Sequence, residues 1–113
     1  MSRMPVAYIC GPYRAPTIDG VFCNIAKARE AAKLYWKMGY FVFCPHLNSS
    51  FMDGVVPDEV FLRADLQFLE SMNPESDVVA VLPGWQESVG CLVEHKRAAI
   101  LGLMIYYIKR LDT

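Results

Sequence analysis

The chain has 113 residues, 54% of them hydrophobic and 20% charged, with a net charge of −1. That length makes one domain over residues 1–113 the expectation, and the composition is globular rather than disordered. The balanced charge, with no basic run, argues against a partner such as DNA or RNA.

The four cysteines, Cys10, Cys23, Cys44 and Cys91, form no CxxC pair, and no signal-like apolar run precedes Gly11. No apolar stretch reaches membrane-spanning length. A reduced, cytoplasmic protein away from membranes is expected, its cysteines packing mostly as small apolar groups. Cys44 with His46 is a close pair of plausible metal ligands, but two ligands fall short of a site, so no metal and no cofactor is expected. A small domain buries a modest fraction of its surface. Its apolar surplus therefore points to a homodimer or larger homo-oligomer.

VAYIC (Val6 to Cys10) reads as a buried strand ended by Gly-Pro. Residues 11–20 read as a loop. Val21, Ile25, Ala28, Ala32 and Tyr35 then keep helical spacing to about Met38, and Gly39 stops the helix. Tyr40 to Cys44 is a second strand, followed by a polar loop from Pro45 to Val56. Loops of that length in small domains are often functional. A helix runs from Pro57 or Asp58 to about Met72, and Asp77 to Leu82 is a third strand. Pro83-Gly84 turns that strand into a third helix, which Gly102 ends, and Leu103 to Ile108 is a fourth strand. Strands alternating with helices predict an α/β fold: a three-layer, flavodoxin- or Rossmann-like parallel sheet of four to five strands with helices on both faces.

The loops after the first three strands should open at one sheet edge, where such folds bind ligands. The first offers backbone N–H groups at Gly11, with Tyr13 and Arg14; the second offers His46 and Asn48; the third offers Trp85, Ser88 and Gly90. Ser88 is placed to cap a helix, and a capped helix N-terminus suits a phosphate. Arg14 would add a charged fork. Each also has a plain role: a surface arginine, a simple cap, a loop-packing His46, a lid or interface tryptophan. Asp65 interrupts the apolar stripe of Phe61, Leu62, Phe68, Leu69 and Met72. It is either functional or at the wet edge of a wider stripe. With Glu94 it makes a carboxylate pair of the kind that cleaves glycosidic bonds, one attacking and one assisting. Glu94 taken alone reads as a solvated helix residue.

At YICGPYR, PHLN (45–48) and LPGWQESVGCLVE (82–94) the chain resembles the nucleoside 2-deoxyribosyltransferase superfamily, which includes the 2'-deoxynucleoside 5'-monophosphate N-glycosidases. The likeness runs from the first strand to the last. It implies that Glu94 is the nucleophile taking the (deoxy)ribosyl group and that Asp65 lies near the scissile bond. Ser88 would contact a 5'-phosphate, with Gly90 between it and Glu94. Gly11, Tyr13 and Arg14 would match the first-loop nucleotide segment. The implied substrate is a nucleoside or nucleotide, walled by Tyr13, His46, Asn48 and Trp85. A nucleotide-binding module without catalysis is the alternative.

Overall fold

The computed structural model describes residues 3–110. Val6–Cys10 forms β1, and all five of its residues are buried. A strand sends alternate side chains to opposite faces, so β1 is apolar on both sides, as a central parallel strand must be.

Helix α1 spans Ile18–Lys37. It begins three residues before the apolar spacing predicts, because Thr17 caps it, accepting from the Gly20 amide at 3.0 Å. Its buried stripe is Ala28, Ala31, Ala32 and Tyr35; small residues there let the helix approach the sheet closely. Strand β2 is Phe41–Phe43. The expected polar loop after it contains a single helical turn, α2, Pro45–Asn48, with proline at its start. Helix α3 is Asp58–Glu70, β3 is Val78–Val81, and β4 is Met104–Tyr107. Between β3 and β4, a 3-10 turn at Trp85–Glu87 leads into α4, Val89–Ile100, which Ser88 caps by accepting from the Cys91 amide at 3.3 Å.

The four strands are all parallel in the order β2-β1-β3-β4. Ala7 pairs with Val42 and Val78, and Val79 pairs with Tyr8 and Ile105. The fold is therefore the expected three-layer, Rossmann-like α/β arrangement. Ala7, Ile9, Val42, Val78 and Ala80 pack with α1 on one face. Val6, Tyr8, Cys10, Val79 and Val81 pack on the other with Leu69 and Met72, and with Cys91 and Ala98 of α4. The chain crosses from one face to the other between β1 and β3, which puts the topological switch point at the loops after these two strands.

Two local features hold that edge and the opposite one. A Cβ on Gly11 would stand 2.4 Å from Leu82 Cδ1, so only glycine lets the β1 loop lie against the end of β3. At the far end Asp77 is buried and accepts from the Val6 amide at 2.8 Å, the Asn73 amide at 2.7 Å and Arg3 Nη2 at 2.8 Å. Burial alone would push this carboxyl up; Arg3, the two amides and Ser76 outweigh it and hold it well below the usual carboxylate range.

Among the described residues no helix is long and apolar enough to cross a membrane.

Candidate active site

Glu94 does not face solvent. Cys91, Glu94 and Ala98 are the buried residues of α4, at the three- and four-residue spacing of one helix face. Glu94 therefore turns inward for the same geometric reason that its apolar neighbours do. Opposite it, Tyr8 and Cys10 project from the same side of β1. The Tyr8 hydroxyl donates to Glu94 Oε2 in a short hydrogen bond, and the Cys10 thiol lies 3.5 Å from Glu94 Oε1.

Asp65 occupies the inward stripe of α3 with Leu69 and Met72, half-buried where they are fully buried. Beside it Phe43 and Phe68 stack at 4.0 Å, and both rings lie against Tyr8, at 5.7 and 6.1 Å. The carboxylates thus share an apolar, aromatic surround. Burial pushes the Asp65 carboxyl up to about 6. Burial also pushes Glu94 up, to about 7; the Asp65 charge adds to the rise, while the Tyr8 and Cys10 hydrogen bonds oppose it. The Tyr8 phenol is held well above its ordinary value, by burial first and then by the Glu94 and Asp65 charges. It stays a protonated donor at neutral pH.

Ser88 and Gly90 stand at the N-terminus of α4, with open space where a Gly90 side chain would be. Gly11 follows directly on Cys10. These three therefore lie at the carboxyl edge of β1 and β3, whereas Glu94 reaches Tyr8, the middle residue of β1. The other expected residues make different contacts. Arg14 pairs with Asp58 at 2.6 Å and Asp53 at 3.5 Å, and Tyr13 donates to Asp53 at 2.9 Å. Together they tie the β1 loop to the segment before α3. His46 is buried, its Nε2 lying 2.8 Å from the Pro12 carbonyl; burial lowers its pKa. A neutral imidazole donating to Pro12 is a clamp on the first loop. Asn48 ends α2 and is exposed. Trp85 turns to the far side of α4, stacked on His95 at 4.2 Å and near Tyr107 at 5.8 Å.

Two grooves open at the same edge. One, of about 440 Å³, is lined by Pro12, Asn24, Lys27, Glu30, Leu82 and Pro83 on the α1 side. The other, of about 510 Å³, is lined by Gly84, Trp85, Gln86, Tyr107, Ile108 and Lys109. Asp65 and Glu94 line neither of them.

Helical spacing puts Cys91 one turn before Glu94 on the same face, as the structure has it; sequence reasoning missed Tyr8 and Cys10 as neighbours of the carboxylates. The signal was present in part: Tyr8 and Cys10 are two apart on a strand, and Cys91 is three before Glu94 on a helix. Which strand face meets which helix face is not written in either spacing. The cysteines, unpaired in sequence, converge with Glu94: Cys10 Sγ, Cys91 Sγ and a Glu94 oxygen lie within 4.8 Å of one another.

The model of one family, a domain of unknown function (DUF4406), matches residues 6–107. No curated protein matches the sequence.

Proposed function

The chain belongs to the DUF4406 family, and on that premise we propose that this member cleaves or transfers the N-glycosidic bond of a nucleoside or nucleoside 5'-monophosphate. One observation carries the reading. A buried glutamate, hydrogen-bonded by a tyrosine, has a half-buried carboxylate near enough to raise its pKa, on a helix that starts at the switch point of a parallel sheet. Carboxylates whose surroundings raise their pKa values toward neutrality cluster at functional sites. The sequence resemblance to the deoxyribosyltransferases supports the same assignment.

In this reading ionised Glu94 attacks the anomeric carbon, with Tyr8 fixing the carboxylate so that Oε1 is the attacking oxygen. The C–N bond breaks through an oxocarbenium-like state that the carboxylate stabilises. Asp65 orients the sugar or assists at the scissile bond, and the departing base takes its proton from water. Water then opens the glycosyl-enzyme ester, or a second base accepts the sugar. Ser88 and the free amides of α4 take the 5'-phosphate. The protein works in the cytoplasm as a homo-oligomer and needs no cofactor.

The test is incubation of the purified chain with a panel of nucleosides and 5'-monophosphates, with free base measured by chromatography. Wild type releases base from at least one member, and Glu94→Ala reduces the rate at least 10³-fold, in the range of lost nucleophiles. Equal rates for the two proteins, or none for either, would overturn the catalytic reading.

The α1-side groove favours a second reading, since it lies at the switch point but away from Glu94. A nucleotide held there would be bound and not cleaved. Ligand-induced thermal stabilisation that survives Glu94→Ala, without turnover, is its signature.

A further inference from the structure

The glycosyl chemistry has no use for the two thiols against Glu94. Cys10 ends β1; Cys91 and Glu94 stand one turn apart on α4; all three are buried. In a tetrahedral zinc site with Zn–S of about 2.3 Å and Zn–O of about 2.0 Å, a sulfur and an oxygen corner are about 3.5 Å apart and two sulfur corners about 3.8 Å. The Cys10 Sγ to Glu94 Oε1 distance is 3.5 Å, and all three ligand atoms lie within 4.8 Å of one another. Side-chain rotation alone closes the remaining difference. A central strand and a three-turn helix fix the positions, so little ordering is left to the moment of binding.

We propose that Cys10, Cys91 and Glu94 form a binding site for a thiophilic divalent cation of the zinc class, with the fourth corner open to water. Two thiolates select zinc or cadmium over magnesium and calcium, which prefer all-oxygen shells. Binding displaces one proton from each thiol, and the Glu94 proton where that carboxyl is protonated, to solvent and leaves both sulfurs and Oε1 coordinated. Tyr8 keeps its hydrogen bond to Oε2 and orients the carboxylate toward the ion. The site is independent of the N-glycosidic reading. Its consequence for activity rests on that reading: an ion on Oε1 withdraws the nucleophile, so zinc inhibits.

The experiment is a titration of the chelator-stripped full chain with cadmium chloride, followed by the ultraviolet thiolate-to-cadmium charge-transfer band. Wild type saturates at one ion per chain, and zinc competes for it. Cys10→Ser and Cys91→Ser each lose the band or weaken the affinity at least tenfold. Cys23→Ser, at an exposed thiol, changes nothing. Glu94→Gln removes a direct ligand and keeps a thiolate band with affinity lowered at least tenfold. Should the serine variants fail to fold, Cys10→Ala and Cys91→Ala preserve the apolar packing and give the same readout. The site is refuted if wild type shows no saturable band, if the band survives loss of either buried thiol, or if Cys23→Ser abolishes it. A chain without glycosidase activity still shows the cadmium band, so the two proposals fail separately.

Discussion

At the scale of single residues, Glu94 is held in a place that costs stability. Its folded pKa, about 7, is above the unfolded value of about 4.3. The folded state therefore binds the proton more tightly. This group's contribution is fully present below about pH 4.3 and is lost as pH rises through about 7. Glu94→Gln, measured with a chelator present, should melt several degrees above wild type at about pH 8, with the gap closing near pH 5. A constant gap across that range would show that the carboxylate is not desolvated. Tyr8→Phe removes the donor to Oε2 and leaves the ring against Phe43 and Phe68. A hydrogen bond to a charged group is worth about 1.5–3 kcal/mol. The turnover number for base release should fall about ten- to a hundredfold, while the KM, set by other contacts, changes little. A wild-type rate in this variant would remove Tyr8 from the site.

At the scale of elements, the parallel strands are tied at their N-terminal ends by Asp77, which joins β1, the α3–β3 turn and Arg3. Its folded pKa is depressed, so its stabilisation is present above the unfolded value of about 3.9 and is lost as pH falls below it. Arg3 is exposed and its share is screened; the buried Val6 amide and the partly buried Asn73 amide are the larger loss. Asp77→Ala leaves them unpaired and should cost about 2–4 kcal/mol in urea unfolding near neutral pH. The penalty should shrink progressively below about pH 4, where the carboxyl of the unfolded wild-type chain takes up a proton that the folded one does not. An undiminished penalty at acid pH would show that the charge contributes nothing. The same element scale explains where sequence reading slipped. Periodicity placed the start of α1 at Val21, whereas the helix begins at Ile18, directly after a threonine cap. The PHLN turn reads as a polar loop because one helical turn is too short to show a period.

At the scale of the whole molecule, the sheet is covered unequally. Helix α1 alone packs on its face, and on that side β4 leaves Met104 and Tyr106 half-exposed. At the opposite, β2 edge of the sheet Phe41 is exposed with Trp36 stacked on it at 5.9 Å, and Leu34 and Met38 are exposed as well. A stacked, exposed aromatic pair with apolar neighbours on a small domain is characteristic of an interface. The chain should sediment as a dimer or larger species, and Trp36→Glu should shift it toward monomer without lowering its helix content. A monomeric wild type at micromolar concentration would refute this.

Order and type of the elements were legible in the sequence, because alternating short apolar runs and amphipathic helices with glycine and proline between them admit few topologies. Ser88 as a cap and Asp65 on an apolar stripe were legible too, since capping and periodicity are local. Only the tertiary structure decided that Glu94 is buried, because an isolated glutamate on a helix takes its environment from what the opposite face packs on. That packing supplied Tyr8 as the donor and Cys10 as a neighbour, with Phe43 and Phe68 against the Tyr8 ring. It also turned Trp85 toward His95 and Tyr107, and engaged Arg14 with Asp53 and Asp58. Local spacing fixes which side of an element a residue occupies; the charge state and chemistry of that residue depend on the groups that another part of the chain brings against it.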